Sequence, residues 1–199
     1  PIFVDIDIST FNIDPAALNA AIIALMECDT KNNVLPKWPI EKLRGLTPKG
    51  IITVDLFGLP ADHERINTIA AEHGLFVLED AAQGFGGEVN GRRAGTLAEV
   101  GCTSFFPAKP LGCYGDGGAL FTNDDGLAEL FRSIRVHGQG SDRYENIRLG
   151  ITGRLDAVQA AVLIPKLGIF PDELSERQRV AATYEKLISS SAVDVVTPQ

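Results

Sequence analysis

Positive charge is in deficit. Against 26 Asp and Glu stand only 18 Lys and Arg, a formal charge of -8 with a pI near 4.9. A nucleic-acid groove needs a basic surface, so no nucleic-acid partner is expected. Small anionic ligands stay allowed, because local Arg, Lys and backbone N–H groups decide that binding. Cysteine is scarce as well: Cys28, Cys102 and Cys113 form no CxxC pair and leave an odd thiol. That usage points to a reducing, cytoplasmic setting rather than a disulfide scaffold. His63, His73 and His137 give no HExxH and no tight pairing, which argues against a metal hydrolase. No apolar run reaches membrane-spanning length, and the opening PIFVDIDIST lacks the charged-then-apolar order of a signal peptide. No membrane partner is therefore expected. An initiator Met is lacking too, so the chain reads as a fragment or a processed product, and neither an internal repeat nor a low-complexity tract is present.

What is there is an ordinary globular composition, 45% hydrophobic and 22% charged over 199 residues. That suits one α/β domain, or one domain plus a fragment of another. PIFVDID reads as a buried strand, and NIDPAALNAAIIALM as a helix with Asp14 as N-cap and Pro15 at its first position. The polar, proline-bearing stretch from Glu27 to Gly50 reads as loop with one helical turn. GIITVDLFG, LFVLEDAAQ, VGCTSFF and GGALFTND read as strands, separated by the helix PADHERINTIAAEHG, closed by Gly74, and by the glycine-rich loop GFGGEVNGRRAGT. DDGLAELFRSIRVHG reads as a helix, and the last third as two more, RLDAVQAAVLIPKLGIF and DELSERQRVAATYEKLISS. Strands alternating with helices predict a mostly parallel sheet covered on both faces. Ligands in such sheets gather beyond the carboxyl ends of the strands, where EDAAQ and SFFPAK fall.

Lys109 lies between Pro107 and Pro110, beside aromatics. A lysine in an apolar pocket loses its preference for the charged form, which exposes a nucleophilic amine able to form a Schiff base. From this segment alone the plainer reading, an ordinary surface lysine on a turn between strands, has the better claim. Asp80 ends the apolar run LFVLED and could face a pyridinium nitrogen, or cap the following turn. Gln83 could hydrogen-bond or pack against a ring, and Ser104, five residues before Lys109, could bind a phosphate. Gly115, Gly117 and Gly118 read as a turn between strands.

EDAAQGFGG, TSFFPAKPLGCYGDGGALFTND and IRVHGQG…RLGITGRLDAVQAAVL resemble the sugar aminotransferases of the DegT family, pyridoxal-phosphate enzymes of the aspartate-aminotransferase fold. The resemblance runs from PIFVDID to ERQRVAATY. Its wording is most similar to members that aminate UDP-linked 3-keto sugars. It implies a three-layer large domain over residues 1–170, incomplete at both ends, with 171–199 leading towards a small C-terminal domain. It implies pyridoxal 5'-phosphate as cofactor, with Lys109 as the Schiff-base amine and proton carrier. By the same resemblance Asp80 pairs with the pyridinium nitrogen, Gln83 with the ring oxygen and Ser104 with the phosphate. Arg154 and His137 would meet the substrate. The implied partners are a nucleotide-linked keto-sugar, glutamate as amino donor, and a second copy in a homodimer.

Three departures from that pattern stand out. Thr152 occupies the place of an asparagine that reaches across the dimer to the neighbouring phosphate. The family's segment before PIFVDID, with its phosphate and ring-stacking contacts, is not in this sequence, and the small domain would continue past Gln199. The expectation is a transaminase whose 199 residues alone bind the cofactor weakly or not at all. An NAD-binding loop is disfavoured: Gly84 and Gly86 are followed by Val89 where a third glycine belongs. A pyridoxal-dependent sugar dehydratase would carry histidine in place of Lys109. A non-catalytic regulatory homologue remains the alternative outside enzymes.

Overall fold

The structure, a computed structural model, describes residues 1–29, 35–37, 39–142, 144–190, 195 and 197–198. Helix α1 (Pro15–Met26) starts where its sequence says: the Asp14 carboxylate accepts from the Ala16 N–H at 2.8 Å, and Pro15 fills the first helical position. A single short turn, α2 (Ile40–Leu43), interrupts the polar stretch, part of which lies outside the described residues. Strand β1 (Gly50–Val54) follows, then α3 (His63–His73), capped by Asp62 through the Arg65 N–H and closed by Gly74 at φ 65°. After it come β2 (Phe76–Asp80), a small hairpin of β3 (Glu88–Val89) and β4 (Arg92–Arg93), then β5 (Val100–Ser104) and β6 (Gly118–Phe121). The hairpin lies inside the segment read as a glycine-rich loop. Helices α4 (Asp125–Arg135) and α5 (Ala157–Ser189) complete the described elements.

The main sheet has the order β1-β2-β5-β6. β1, β2 and β5 run parallel, with Val54 opposite Asp80 and Asp80 opposite Cys102; β6 returns antiparallel, with Ser104 opposite Gly118. The α/β class and the mostly parallel sheet are as expected. Leu18 and Ile22 of α1, four residues apart on one helix face, pack with Ile66 and Ala70 of α3 on Ile51 and Val77 of the sheet. A second cluster joins Leu111, Cys113, Leu163 and Phe170, seating the first half of α5 on the loop after β5.

Three expectations are corrected. Among the described residues the sheet is covered on one face only: along β1 burial alternates, with Ile51 and Thr53 buried but Ile52 67% and Val54 40% exposed. The described helices α1 and α3 dress one face, and the apolar residues of the other meet solvent. PIFVDID is not a buried strand either. Residues 1–5 are irregular, Phe3 is 86% exposed, and Ile6 makes only an isolated bridge to Ile13. An apolar run becomes a strand only with a neighbour to pair with, and no described strand runs beside it. Lastly, the two C-terminal helices are one 33-residue helix that carries Pro165 and Pro171 inside it. Proline costs an internal helix bond, and here burial of Leu163 and Phe170 on either side of Pro165 opposes the break.

Candidate active site

Parallel strands bring their carboxyl ends side by side, and two of the sequence candidates sit there. Residues opposite one another in a ladder point to the same face, and side chains alternate along each strand. Asp80, Cys102 and Ser104 therefore share the open face with Val54. Asp80 Oδ1 accepts from the Ala82 N–H at 3.0 Å, so the carboxylate does cap its turn; its second oxygen is free among the described residues. Ser104 Oγ accepts from the Phe106 N–H at 3.2 Å, which leaves its own proton to donate. Gln83 Oε1 accepts from the Phe57 N–H at 2.8 Å, and the amide nitrogen is directed away from that bond.

Lys109 sits on a turn, its N–H donating to the Phe106 carbonyl at 2.9 Å, and it is half-buried with no partner for its ammonium among the described residues. The loop that carries it is tightly folded. Cys113 donates its N–H to the Phe105 carbonyl at 2.8 Å, and its Sγ lies 3.0 Å from the Phe105 carbonyl and 3.1 Å from that of Gly115. A Cβ on Gly112 would fall 2.5 Å from the Pro107 carbonyl oxygen, so only glycine lets the chain double back there. Helix α5 braces the loop from outside: Gln159 Oε1 accepts from the Tyr114 N–H at 2.8 Å, and Lys166 Nζ donates to the Gly112 carbonyl. The amine is thus delivered by a fixed scaffold.

The other three candidates form a separate exposed group. His137 sits just past the end of α4 with φ 60°, a left-handed position where glycine is usual. Its Nδ1 is 3.5 Å from Thr152 Oγ1, and its Nε2 is 3.3 Å from an Arg154 guanidinium nitrogen, which is donor-only. The Arg therefore sets the imidazole with Nε2 as acceptor. Hydrogen bonds tie these three to one another, and none ties them to Asp80, Gln83, Ser104 or Lys109 among the described residues.

Sequence reasoning missed the layer beneath. Asp55, His63 and Glu79 are all buried, with His63 Nε2 3.2 Å from Asp55 Oδ1. Three of their four oxygens are already engaged: Asp55 Oδ1 accepts from the Ala61 N–H, and the two Glu79 oxygens from those of Gly95 and Leu97, at 2.5 and 2.8 Å, while Asp55 Oδ2 and His63 Nδ1 are buried without a partner among the described residues. One ligand atom from each residue lies within 4.8 Å of the others. Ligands around a tetrahedral zinc stand roughly 3.4 Å apart. With four backbone and side-chain donors already on these carboxylates, the cluster reads as internal bracing. Burial pushes the Glu79 carboxyl up, against the lowering pull of its two N–H donors. Burial first, and then the Asp80 carboxylate, also raise the Cys102 thiol, which keeps it a quiet neutral group beside Asp80. A signal for this layer existed: TVD and LED both place a carboxylate at a strand end, and Glu79 is a charge within an apolar run.

The whole chain, residues 1–199, matches the model of the DegT/DnrJ/EryC1/StrS aminotransferase family. The chain belongs to that family. It is 48% identical over all its length to a UDP-2-acetamido-2-deoxy-3-oxo-D-glucuronate aminotransferase of Pseudomonas aeruginosa, and 45% identical to a pleiotropic regulatory protein of Geobacillus stearothermophilus. In each case it covers 48% of the relative, so it spans about half the length of the curated relatives it matches. A crystal structure of a DegT DnrJ EryC1 StrS aminotransferase from Brucella abortus superposes with a TM-score of 0.85 at 48% identity, over 95% of this chain and 47% of that one. This family member is thus built like known aminotransferases along the half it represents. Among the described residues no helix is long and apolar enough to cross a membrane.

Proposed function

We propose that this chain carries the lysine-bearing part of a pyridoxal-phosphate aminotransferase acting on a nucleotide-activated keto-sugar, with glutamate as donor. The observation that carries the reading is the set Asp80, Gln83, Ser104 and Lys109. Each keeps an unused carboxylate oxygen, amide NH2, hydroxyl proton or amine at one end of a parallel sheet. That set fits the cofactor group by group: an anion for a ring nitrogen, a donor for a ring oxygen, a donor for a phosphate and an amine for an aldehyde.

Bound there, pyridoxal phosphate supplies a ring that withdraws electrons from the substrate carbon. The protein's part is placement and proton traffic. The Asp80 carboxylate would face the ring nitrogen and favour its protonated form, which is the form that withdraws electrons. Ser104 holds the phosphate. Lys109 would hold the cofactor's aldehyde through its amine and would serve as the base and acid that moves a proton at the substrate carbon. Arg154, steadied by His137, receives anionic groups of the substrate, and Thr152 takes the phosphate-side position offered to a second copy in a homodimer. Residues 1–170 form the cofactor domain, and 171–199 lead towards a smaller one, in a cytoplasmic enzyme of amino-sugar synthesis. Similarity to a UDP-3-oxo-sugar aminotransferase supports the sugar class, and Lys109 favours transamination over dehydration.

The test is borohydride reduction of the full-length protein with pyridoxal phosphate, followed by peptide mapping. The label is expected on Lys109 and should vanish in Lys109→Ala, with a visible band that bleaches on adding glutamate alone. A label spread over other lysines, or a band indifferent to glutamate, would refute the assignment.

A further inference from the structure

Between β1 and α3 the chain makes a tight turn over Leu56–Gly58, and its middle residue is strained. Phe57 has φ 58° and ψ 13°, a left-handed conformation that a bulky side chain avoids. Strain of this kind persists only where the surroundings over-determine it, and here they do. Buried Asn12 clamps both ends of the turn: its Oδ1 accepts from the Leu56 N–H at 2.9 Å and its Nδ2 donates to the Leu59 carbonyl at 2.8 Å. Asp55 ties the turn to β2, donating its N–H to the Asp80 carbonyl at 3.0 Å and accepting from the Gly58 N–H at 3.2 Å through its own carbonyl. The Asp55 side chain is held by His63 and by the Ala61 N–H. It lies flush against Gly84, where a Cβ would fall 2.6 Å from Asp55 Cβ.

This clamped turn meets the site through the Phe57 N–H, which donates to Gln83 Oε1. A glutamine amide is ambivalent: it can offer its oxygen or its NH2. A fixed N–H on the oxygen removes the choice. We propose that the Asn12-clamped Asp55–Gly58 turn is a positioning element of the cofactor site, which fixes the Gln83 amide so that it donates to its ligand. The group opposite Gln83 must then be an acceptor, which matches an anionic ring oxygen; this rests on the pyridoxal-phosphate reading above.

The test is a double-mutant cycle on pyridoxal phosphate affinity, read by absorbance titration of the full-length protein. Asn12→Ala is expected to weaken binding about tenfold with Gln83 present, and less than about twofold when position 83 is already alanine, because coupled sites are not additive. Gln83→Glu, which can still accept from Phe57 but has no proton to give, should bind more weakly than Gln83→Ala. Equal losses from Asn12→Ala in both backgrounds, or wild-type affinity in Gln83→Glu, would overturn the proposal. Should Asn12→Ala not fold, Asn12→Asp keeps the acceptor for Leu56 and loses only the bond to Leu59, and the same cycle applies. Hydrogen exchange at the Phe57 amide reads the clamp without any cofactor: it should be slow, and at least about tenfold faster in Gln83→Ala. Fast exchange in the parent chain sinks the proposal outright. Slow exchange with no cofactor binding would instead leave the clamp and dismiss the pyridoxal-phosphate reading.

Discussion

At the scale of residues, Glu79 shows how a charge can serve a fold without touching a ligand. Its two oxygens hold the Gly95 and Leu97 N–H groups, and burial nonetheless raises its carboxyl above the ordinary 4.5. A carboxyl raised in the fold contributes stability that is complete below its unfolded value and is lost as pH climbs through the raised one. Urea unfolding from pH 4.5 upwards should therefore show a decline that Glu79→Gln lacks, on top of a cost of about 1–3 kcal/mol for the N–H left facing an amide NH2. Parallel slopes for the two proteins would contradict this. The same scale shows what could be read in advance. Lys109, Asp80, Gln83 and Ser104, the residues proposed for the site, stand at a strand end or within a few residues of one, positions that local reasoning can reach. Phe57 and Asn12 could not be found that way: nothing about a phenylalanine announces a left-handed backbone, and their hydrogen bonds run to Gln83 and to residues 44 or more positions distant.

Elements behaved according to whether their instructions are local. Asp14-Pro15 and the closing Gly74 are complete signals within a few residues, and α1 begins and α3 ends where those signals stand. Gly74 has open space where a Cβ would go, so Gly74→Ala tests backbone strain alone. A loss of about 1 kcal/mol is expected by urea midpoint, with the slope of the transition unchanged. PIFVDID failed as a strand because its apolar pattern specifies a side to bury but not a partner to pair with. The break expected in α5 failed for the opposite reason. Pro171 is a fair helix start on local grounds, yet Phe170 and Leu174 pack into the cluster around Leu111 and keep the axis continuous.

For the whole molecule, the unequal faces of the sheet matter most. Ile52, Val54, Phe76 and Leu120 expose apolar surface on one side, while β1 and β6 end the main sheet on either edge. Unpaired edges and open apolar faces favour association. Purified as these 199 residues, the chain should show concentration-dependent self-association by sedimentation velocity, and Ile52→Lys should shift it towards monomer without lowering its melting temperature. A wild-type chain that stays monomeric at every concentration would contradict the idea.

Helix α5 has a mechanical consequence. It is seated on the loop bearing Lys109 by its first half only, through Gln159, Leu163, Lys166 and Phe170, and most side chains after Leu174 are exposed. At 1.5 Å per residue the remaining stretch is a cantilever roughly 22 Å long. A tilt of about five degrees at its seat would sweep the tip through roughly 2 Å by the same geometry. Whatever bears on that tip has leverage on the turn that holds the amine.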